Sequence, residues 1–488
     1  MSRPGRAGPP EPGEIRAFEF PSVDRRALDT GLDVRVARLA RLPVVSVNLF
    51  FRAGESGLGE RTAGLAVLTG DALEGGTKRR SGSALAEALE RLGARLAVST
   101  GWEGTSVSLS CLAERLADGL ALLAEAVLEP DFPEGEVARA RDQQLAGIRQ
   151  RLMDPSSLAS DETARRMFAE GVPYARRQSG SLASVEPLGP AHLRGFADAH
   201  FRPGRGGLVL VGDLDTDEML ALAHRHLGAW SGEPPETNNF RVEPRTRERR
   251  VWVVDRPGSV QSEIRVGHVG VARNDPDVFA LTVVNTLLGG AFTSRLNLNL
   301  RERKGFTYGV RSRFSLRGRP GSFKVQTAAG TEVTADAVRE ILFELERLAA
   351  DGPDEEEVAV SRDYIAGVFP LRLETVGQVA GRITEQVVFS LPDDYHATYR
   401  DRIRSVTLSD AWAAARRHVR PAEAQIVVVG DAGSVTGPLE ALGVGPVEVV
   451  TPADGRPIGG SAVQPRDARS VSNAGGWEGR RASSRRST

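Results

Sequence analysis

A long internal repeat constrains this chain more than any other feature. His200-Phe-Arg-Pro-Gly-Arg-Gly-Gly-Leu-Val-Leu-Val-Gly-Asp213 returns as His418-Val-Arg-Pro-Ala-Glu-Ala-Gln-Ile-Val-Val-Val-Gly-Asp431, at a constant offset of 218 residues and with seven of fourteen positions identical. Each copy is an Arg-Pro loop that runs into an apolar strand and ends in Gly-Asp. A period of this length means tandem domains, because solenoid repeats run only about 20–50 residues. The 488 residues allow two or three domains with sizeable cores. Two such domains can fold against each other and leave a cleft between them.

Composition marks the boundaries. Residues 1–20 and 451–488 are rich in Pro, Gly, Ser and charge, as disordered ends are. Residues 233–249 read as a linker. A first domain over 21–232 and a second over 250–450 remain. Within the first, Val44–Phe51 is a β-branched and aromatic strand. Leu85, Leu89 and Leu92 fall at helical spacing, as do Leu116, Leu120, Leu123 and Val127. Pro133 suits the first turn of a long charged helix reaching about residue 152. In the second domain, strands are expected near 251–254, 308–316 and 322–327, and helices over 279–288 and 334–350. The last of these carries Val338, Ile341, Leu345 and Leu348 on one face.

Several function classes find no support. A formal net charge of -1 gives no footprint for nucleic acid or an anionic membrane. No apolar run approaches the ~18 residues of a spanning helix, and the N-terminus does not read as a secretory signal. A cytoplasmic protein is expected. The single cysteine, Cys111, lies in the alternating run 107–111 and reads as a buried thiol. His224 and His226 are two apart on a helix and do not face each other. His200 and His418 occupy equivalent repeat positions, which points to structural roles. No H-E-x-x-H, H-x-x-E-H, G-x-S-x-G or phosphate loop is present. Gly289-Gly290 follows a helix, the wrong context for a dinucleotide fingerprint.

One segment carries a specific resemblance. Leu288-Gly-Gly-Ala-Phe-Thr-Ser-Arg-Leu-Asn-Leu-Asn-Leu-Arg-Glu-Arg-Lys-Gly-Phe-Thr-Tyr308 contains L-G-G, then S-R-L, then L-R-E-x-x-G-x-x-Y. It resembles the C-terminal half of the pitrilysin/insulinase family of zinc metallopeptidases, which includes the mitochondrial processing peptidases. Ala63-Gly64-Leu65-Ala66 is similar to that family's entry into its zinc helix. Gly76-Thr77-Lys78-Arg79-Arg80 is similar to the exit. The resemblance covers about residues 30–435. It implies an α+β fold: two homologous domains in tandem, each a mostly antiparallel sheet packed with helices.

The departures are equally specific. Where the family has H-x-x-E-H, this chain reads Val67-Leu68-Thr69-Gly70-Asp71. Val67 and Asp71 replace the histidines and Gly70 the glutamate base. A further family ligand falls at Gly147. The resemblance therefore implies no metal or other cofactor in this chain, and zinc in a partner. It also implies that Arg301 and Tyr308 match the arginine and tyrosine that zinc-less subunits, like the alpha-type subunit of the processing peptidase, contribute across a cleft. The implied function is a subunit inactive alone, paired as a heterodimer with a zinc-bearing homologue and binding peptide substrate. Arg301 is expected on a last helical turn and Tyr308 on the following strand. A substrate-binding sheet edge is expected within residues 98–109. The alternative is a non-enzymatic scaffold subunit of the same fold.

Overall fold

The computed structural model describes residues 17–236 and 240–451. Among these residues, twelve strands form two six-stranded sheets. The first holds β1 (Val23–Ala27), β2 (Asp33–Arg38), β3 (Val44–Phe51), β4 (Arg95–Thr100), β5 (Thr105–Leu112) and β6 (Gly207–Gly212), in the order β1-β2-β6-β3-β5-β4. The second holds β7 (Arg250–Asp255), β8 (Gln261–Val269), β9 (Val310–Ser315), β10 (Ser322–Gly330), β11 (Gln425–Gly430) and β12 (Val447–Val450), in the order β12-β7-β11-β8-β10-β9.

Five strands correspond one to one. β6 runs parallel to β2 and antiparallel to β3, as β11 runs parallel to β7 and antiparallel to β8. The repeated sequence motif thus supplies the third strand of each sheet. The expected α+β architecture of two tandem domains is present, and its sheets are mixed but mostly antiparallel. Only the outermost strand on the β2/β7 side breaks the symmetry: β1 is antiparallel to β2, whereas β12 is parallel to β7.

Chain order continues the correspondence through the helices. In the first half these are α1 (Leu65–Asp71), α2 (Gly82–Arg91), α3 (Leu116–Leu128), α4 (Glu134–Met153) and α5 (Pro155–Met167). In the second half Val278–Asn285 answers to α1, Thr334–Asp351 to α3, Glu355–Val368 to α4 and Val376–Phe389 to α5.

The two halves exchange helices. α5 packs on β8 and β11 of the second sheet, and Val376–Phe389 packs on β3 and β6 of the first. Val379, Ala380, Ile383 and Val387 form one helical stripe buried against Phe50, Val209 and Val211. Leu158 and Ala159 of α5 meet Trp252, Val427 and Val429. The exchange explains why residues 207–212 and 426–430 are apolar at successive positions. Each strand is buried on both faces, whereas β5, with alternating burial, keeps the period of a half-buried strand. Caps fix where the exchanged helices begin. The Asp154 side chain accepts from Ser157 N at 2.7 Å, and Thr375 and Gln378 form a capping box.

Phe18 and Phe20 fall inside the 1–20 segment that composition marks as disordered, yet both pack. Phe18 meets Phe369 edge-on at 6.0 Å, and Phe20 lies 5.4 Å from His396. Residues 452–488, most of the 451–488 tail, lie outside the described residues. No helix among the described residues is long and apolar enough to cross a membrane.

Candidate functional site

Helix α1 is held by a buried carboxylate. Glu55 is fully buried. Its Oε1 accepts from Ala66 N at 2.9 Å and Val67 N at 3.2 Å, and its Oε2 accepts from Gly64 N at 3.1 Å. These N–H groups have no partner within the helix, and the carboxylate also complements the helix dipole. Gly64 precedes the helix at φ 90°, a left-handed conformation suited to glycine. Arg176 closes the clamp. Its guanidinium pairs with Glu55 Oε2 at 3.0 Å and donates to the carbonyls of Glu55 and Leu58. Burial pushes the Glu55 carboxyl up, against the pull of Arg176 and the backbone donors. From α4, Gln144 Nε2 reaches Gly64 O at 3.1 Å. Sequence reading missed Glu55, Arg176 and Gln144. Glu55 and Arg176 are 121 residues apart, and neither stands in a local pattern.

The clamped helix presents no metal site. Val67 offers no donor atom and Gly70 no side chain. A Cβ added at Gly70 would lie 2.3 Å from Thr100 Oγ1 on β4, so the strand fills the space a side chain at this position would need. Asp71 is exposed, and desolvation raises its carboxyl pKa. Gly147 on α4 is exposed with open space at its Cβ. A catalytic zinc needs three protein ligands, and one carboxylate among these four positions does not fit it. Among the described residues, one group of three side chains could hold a metal: Asp275, Asp277 and His418, in the second half. There Arg417 and His418 both already bond Asp277.

The packing at Gly70 gives a test. Gly70→Ala is expected to destabilise the chain, since overpacking costs about 1–3 kcal/mol against a gain of about 1 kcal/mol from helix propensity. Adding Thr100→Ala should recover the loss. Chemical denaturation of the single and double variants measures both, and a Gly70→Ala chain more stable than wild type would show that the contact is not tight.

Arg301 and Tyr308 hang from one knot in the second half. Asn297–Arg303 winds as a π-helical turn, an uncommon geometry frequent at functional sites. Gly305 ends it at φ 66°, as expected of a helix C-terminus, and Phe306 N reaches back to Leu300 O at 2.9 Å. Asn297 ties the turn to β9: its Nδ2 donates to Val310 O at 3.0 Å and its Oδ1 accepts from Val310 N at 3.1 Å. Arg301 lies 4.0 Å over the ring of Phe292, itself 67% exposed, and its carboxylate neighbour is Glu302 at 3.6 Å.

Tyr308 does not lie on the strand as expected. It precedes β9 by two residues and is 95% exposed. Thr327 Oγ1 bonds both Thr307 Oγ1 and Gly309 O, and Thr307 Oγ1 accepts from Gly309 N, so residues 307–309 form a small tied turn before pairing begins at Val310. Tyr308 is therefore not core. The Val67–Asp71 and Gly147 positions lie on the first half, and the contacts of Arg301 to Phe292 and Glu302 stay within the second.

The expected substrate strand over 98–109 resolves into two strands, because the turn at 101–104 splits it. Among the described residues the outer one, β4, pairs only with β5 and forms the sheet's edge; β9 is the matching edge of the second sheet. The two hairpin tips meet. Glu103 Oε1 accepts from Gly318 N at 2.8 Å, and the Arg317 guanidinium lies over Trp102 at 5.0 Å and Tyr174 at 4.1 Å.

Comparison with known proteins bears on the family and the fold. Residues 36–172 match the family model described as Insulinase (Peptidase family M16), and residues 187–364 match that described as Peptidase M16 inactive domain. The chain is 28% identical over 418 residues to a Mycobacterium bovis protein named as an uncharacterized zinc protease, covering 84% of this chain and 93% of that one. It is 26% identical over 374 residues to the Helicobacter pylori protein named non-peptidase homolog YmxG, covering 76% and 85%. A Pseudomonas fluorescens structure described as a peptidase M16 inactive domain superposes with a TM-score of 0.78 at 27% identity, covering 84% of this chain and 98% of that one.

Proposed function

Since this chain belongs to the M16 (insulinase) peptidase family, we propose that it is the non-catalytic subunit of a two-subunit zinc metallopeptidase and supplies Arg301 and Tyr308 in trans. One contrast carries the reading. The zinc helix is kept, clamped by Glu55, but stripped of donors at Val67 and Gly70, while the Arg/Tyr knot keeps solvent-facing donors. The name of the Helicobacter relative, a non-peptidase homolog, is in line with it.

Hydrolysis of a peptide bond builds negative charge on the scissile carbonyl oxygen. Donors placed at that oxygen in advance stabilise the transition state more than the substrate. Arg301 offers a permanently charged fork and Tyr308 a neutral hydroxyl. The attacking water and the metal belong to the partner. The open edge of β4 suits an extended peptide added as a further strand. We place the assembly in the cytoplasm, with peptide as its ligand and neither nucleic acid nor membrane as a partner.

Co-expression with a zinc-bearing homologue tests the pairing. The expected product is a 1:1 complex holding one zinc per pair, with none bound stoichiometrically by this chain alone. Purification of this chain only as a homodimer, with the homologue always separate, would favour the scaffold alternative.

A further inference from the structure

The second half keeps a cavity where the first half is filled. Val278–Asn285, β9 and Glu355–Val368 answer to α1, β4 and α4. In the first half Gly70 meets Thr100 with no room for a Cβ. In the second, the corresponding elements enclose about 270 Å³. Its walls are apolar and aromatic, among them Phe314, Ile365 and Tyr364, above the stacked rings of Phe369 and Tyr399 at 4.6 Å.

The polar lining is one-sided in charge. Arg313, Arg372 and Arg382 line the cavity. Arg382 pairs with Glu385 at 3.2 Å, but Glu385 is shared with Arg273 at 2.9 Å. Among the described residues, Arg313 and Arg372 have no carboxylate within ion-pair distance. The two lining threonine hydroxyls are engaged: Thr282 and Thr286 donate to carbonyls one turn back at 2.7 and 2.8 Å. Beside the cavity lies an exposed apolar patch of Val360, Tyr364 and Leu371, at 56%, 47% and 62% exposure. Val360 and Tyr364 are four apart on one helix face. Exposed apolar surface of this kind, next to unpaired guanidinium groups, marks a binding surface better than a solvated one.

We propose that this cavity binds a carboxylate carried next to an apolar side chain of a peptide, the side chain entering the cavity and the carboxylate meeting Arg313 and Arg372. The carboxylate has two possible sources, an internal acidic residue or a free C-terminus. Neither Arg301 nor Tyr308 lines the cavity, and binding is read on this chain alone, so the outcome does not depend on subunit pairing.

Fluorescence anisotropy on the full chain tests it with three labelled decapeptides. The first is amidated with an internal Asp-Leu-Asp-Phe core. The second has no acidic residue and ends in a free Phe carboxylate. The third is the first with Asn for both Asp. Saturable binding of the first assigns an internal source, and binding of the second a C-terminal one. Either must weaken by about 10- to 100-fold in the Arg313→Glu/Arg372→Glu variant, the range set by losing hydrogen bonds to a charged group. Tyr364→Ser should weaken it as well. Arg313 and Arg372 are exposed, so the charge variant should fold normally, as circular dichroism will verify. Binding of the Asn peptide as tight as the Asp peptide, binding unchanged by the charge reversal, or no binding by the first two peptides would each overturn the proposal.

Discussion

Tyr308→Phe and Arg301→Ala in this chain should each lower kcat of the reconstituted two-subunit peptidase by about 10²–10³-fold, the typical loss when one oxyanion donor is removed. Assembly should be unchanged. Tyr308 is 95% exposed, so loss of its hydroxyl leaves no buried gap. Arg301 contacts the exposed Phe292 ring and its neighbour Glu302, so its removal should cost the fold little. The loss should appear in kcat and kcat/KM together, since the bond is made most strongly in the transition state. A rise in KM alone would mean that the two residues only hold substrate. Steady-state kinetics, with sizing as the assembly control, separate these cases.

The second large effect is on stability. Glu55→Ala removes the acceptor for three backbone donors at the start of α1 and leaves Arg176 uncompensated. Breaking a buried pair by removing one partner costs about 3–5 kcal/mol. The urea midpoint should fall accordingly with little change in slope. Asp71→Ala, at an exposed position on the same helix, should stay within about 0.5 kcal/mol. Equal effects from the two substitutions would contradict the view that the clamp was retained while the ligand positions drifted.

Much of the fold was legible because the chain states it twice. The repeated His-x-Arg-Pro segment leads into β6 and β11, the same strand of each sheet. Val44–Phe51 forms a strand with the bounds its composition indicates, since five of its eight residues are Val or Phe, which favour a pleated, buried surface. Pro133 stands at the N-cap of α4, and the helix runs to Met153. Cys111 is buried as its alternating run implies.

What was not legible depends on contacts between distant segments. Periodicity reports that a helix has an apolar face but not which sheet that face meets. The exchange of α5 and Val376–Phe389 between the halves was therefore invisible, as was the docking of Phe18 and Phe20. The π-helical turns Thr286–Gly290 and Asn297–Arg303 have no distinct sequence period. The position of Tyr308 outside β9 follows from the Thr327 bonds to Thr307 and Gly309, about twenty residues away. A motif points to Arg301 and Tyr308, and the structure adds that Tyr308 is exposed and that Arg301, partly exposed, lies over Phe292.

The central claim is that this chain completes another subunit's site. Titrating a fixed amount of a zinc-bearing homologue with this chain, and following peptide cleavage, tests it most directly. The account predicts no cleavage by either chain alone and a rate that rises to a plateau at a 1:1 ratio. A homologue that cleaves at its full rate before any of this chain is added would contradict it.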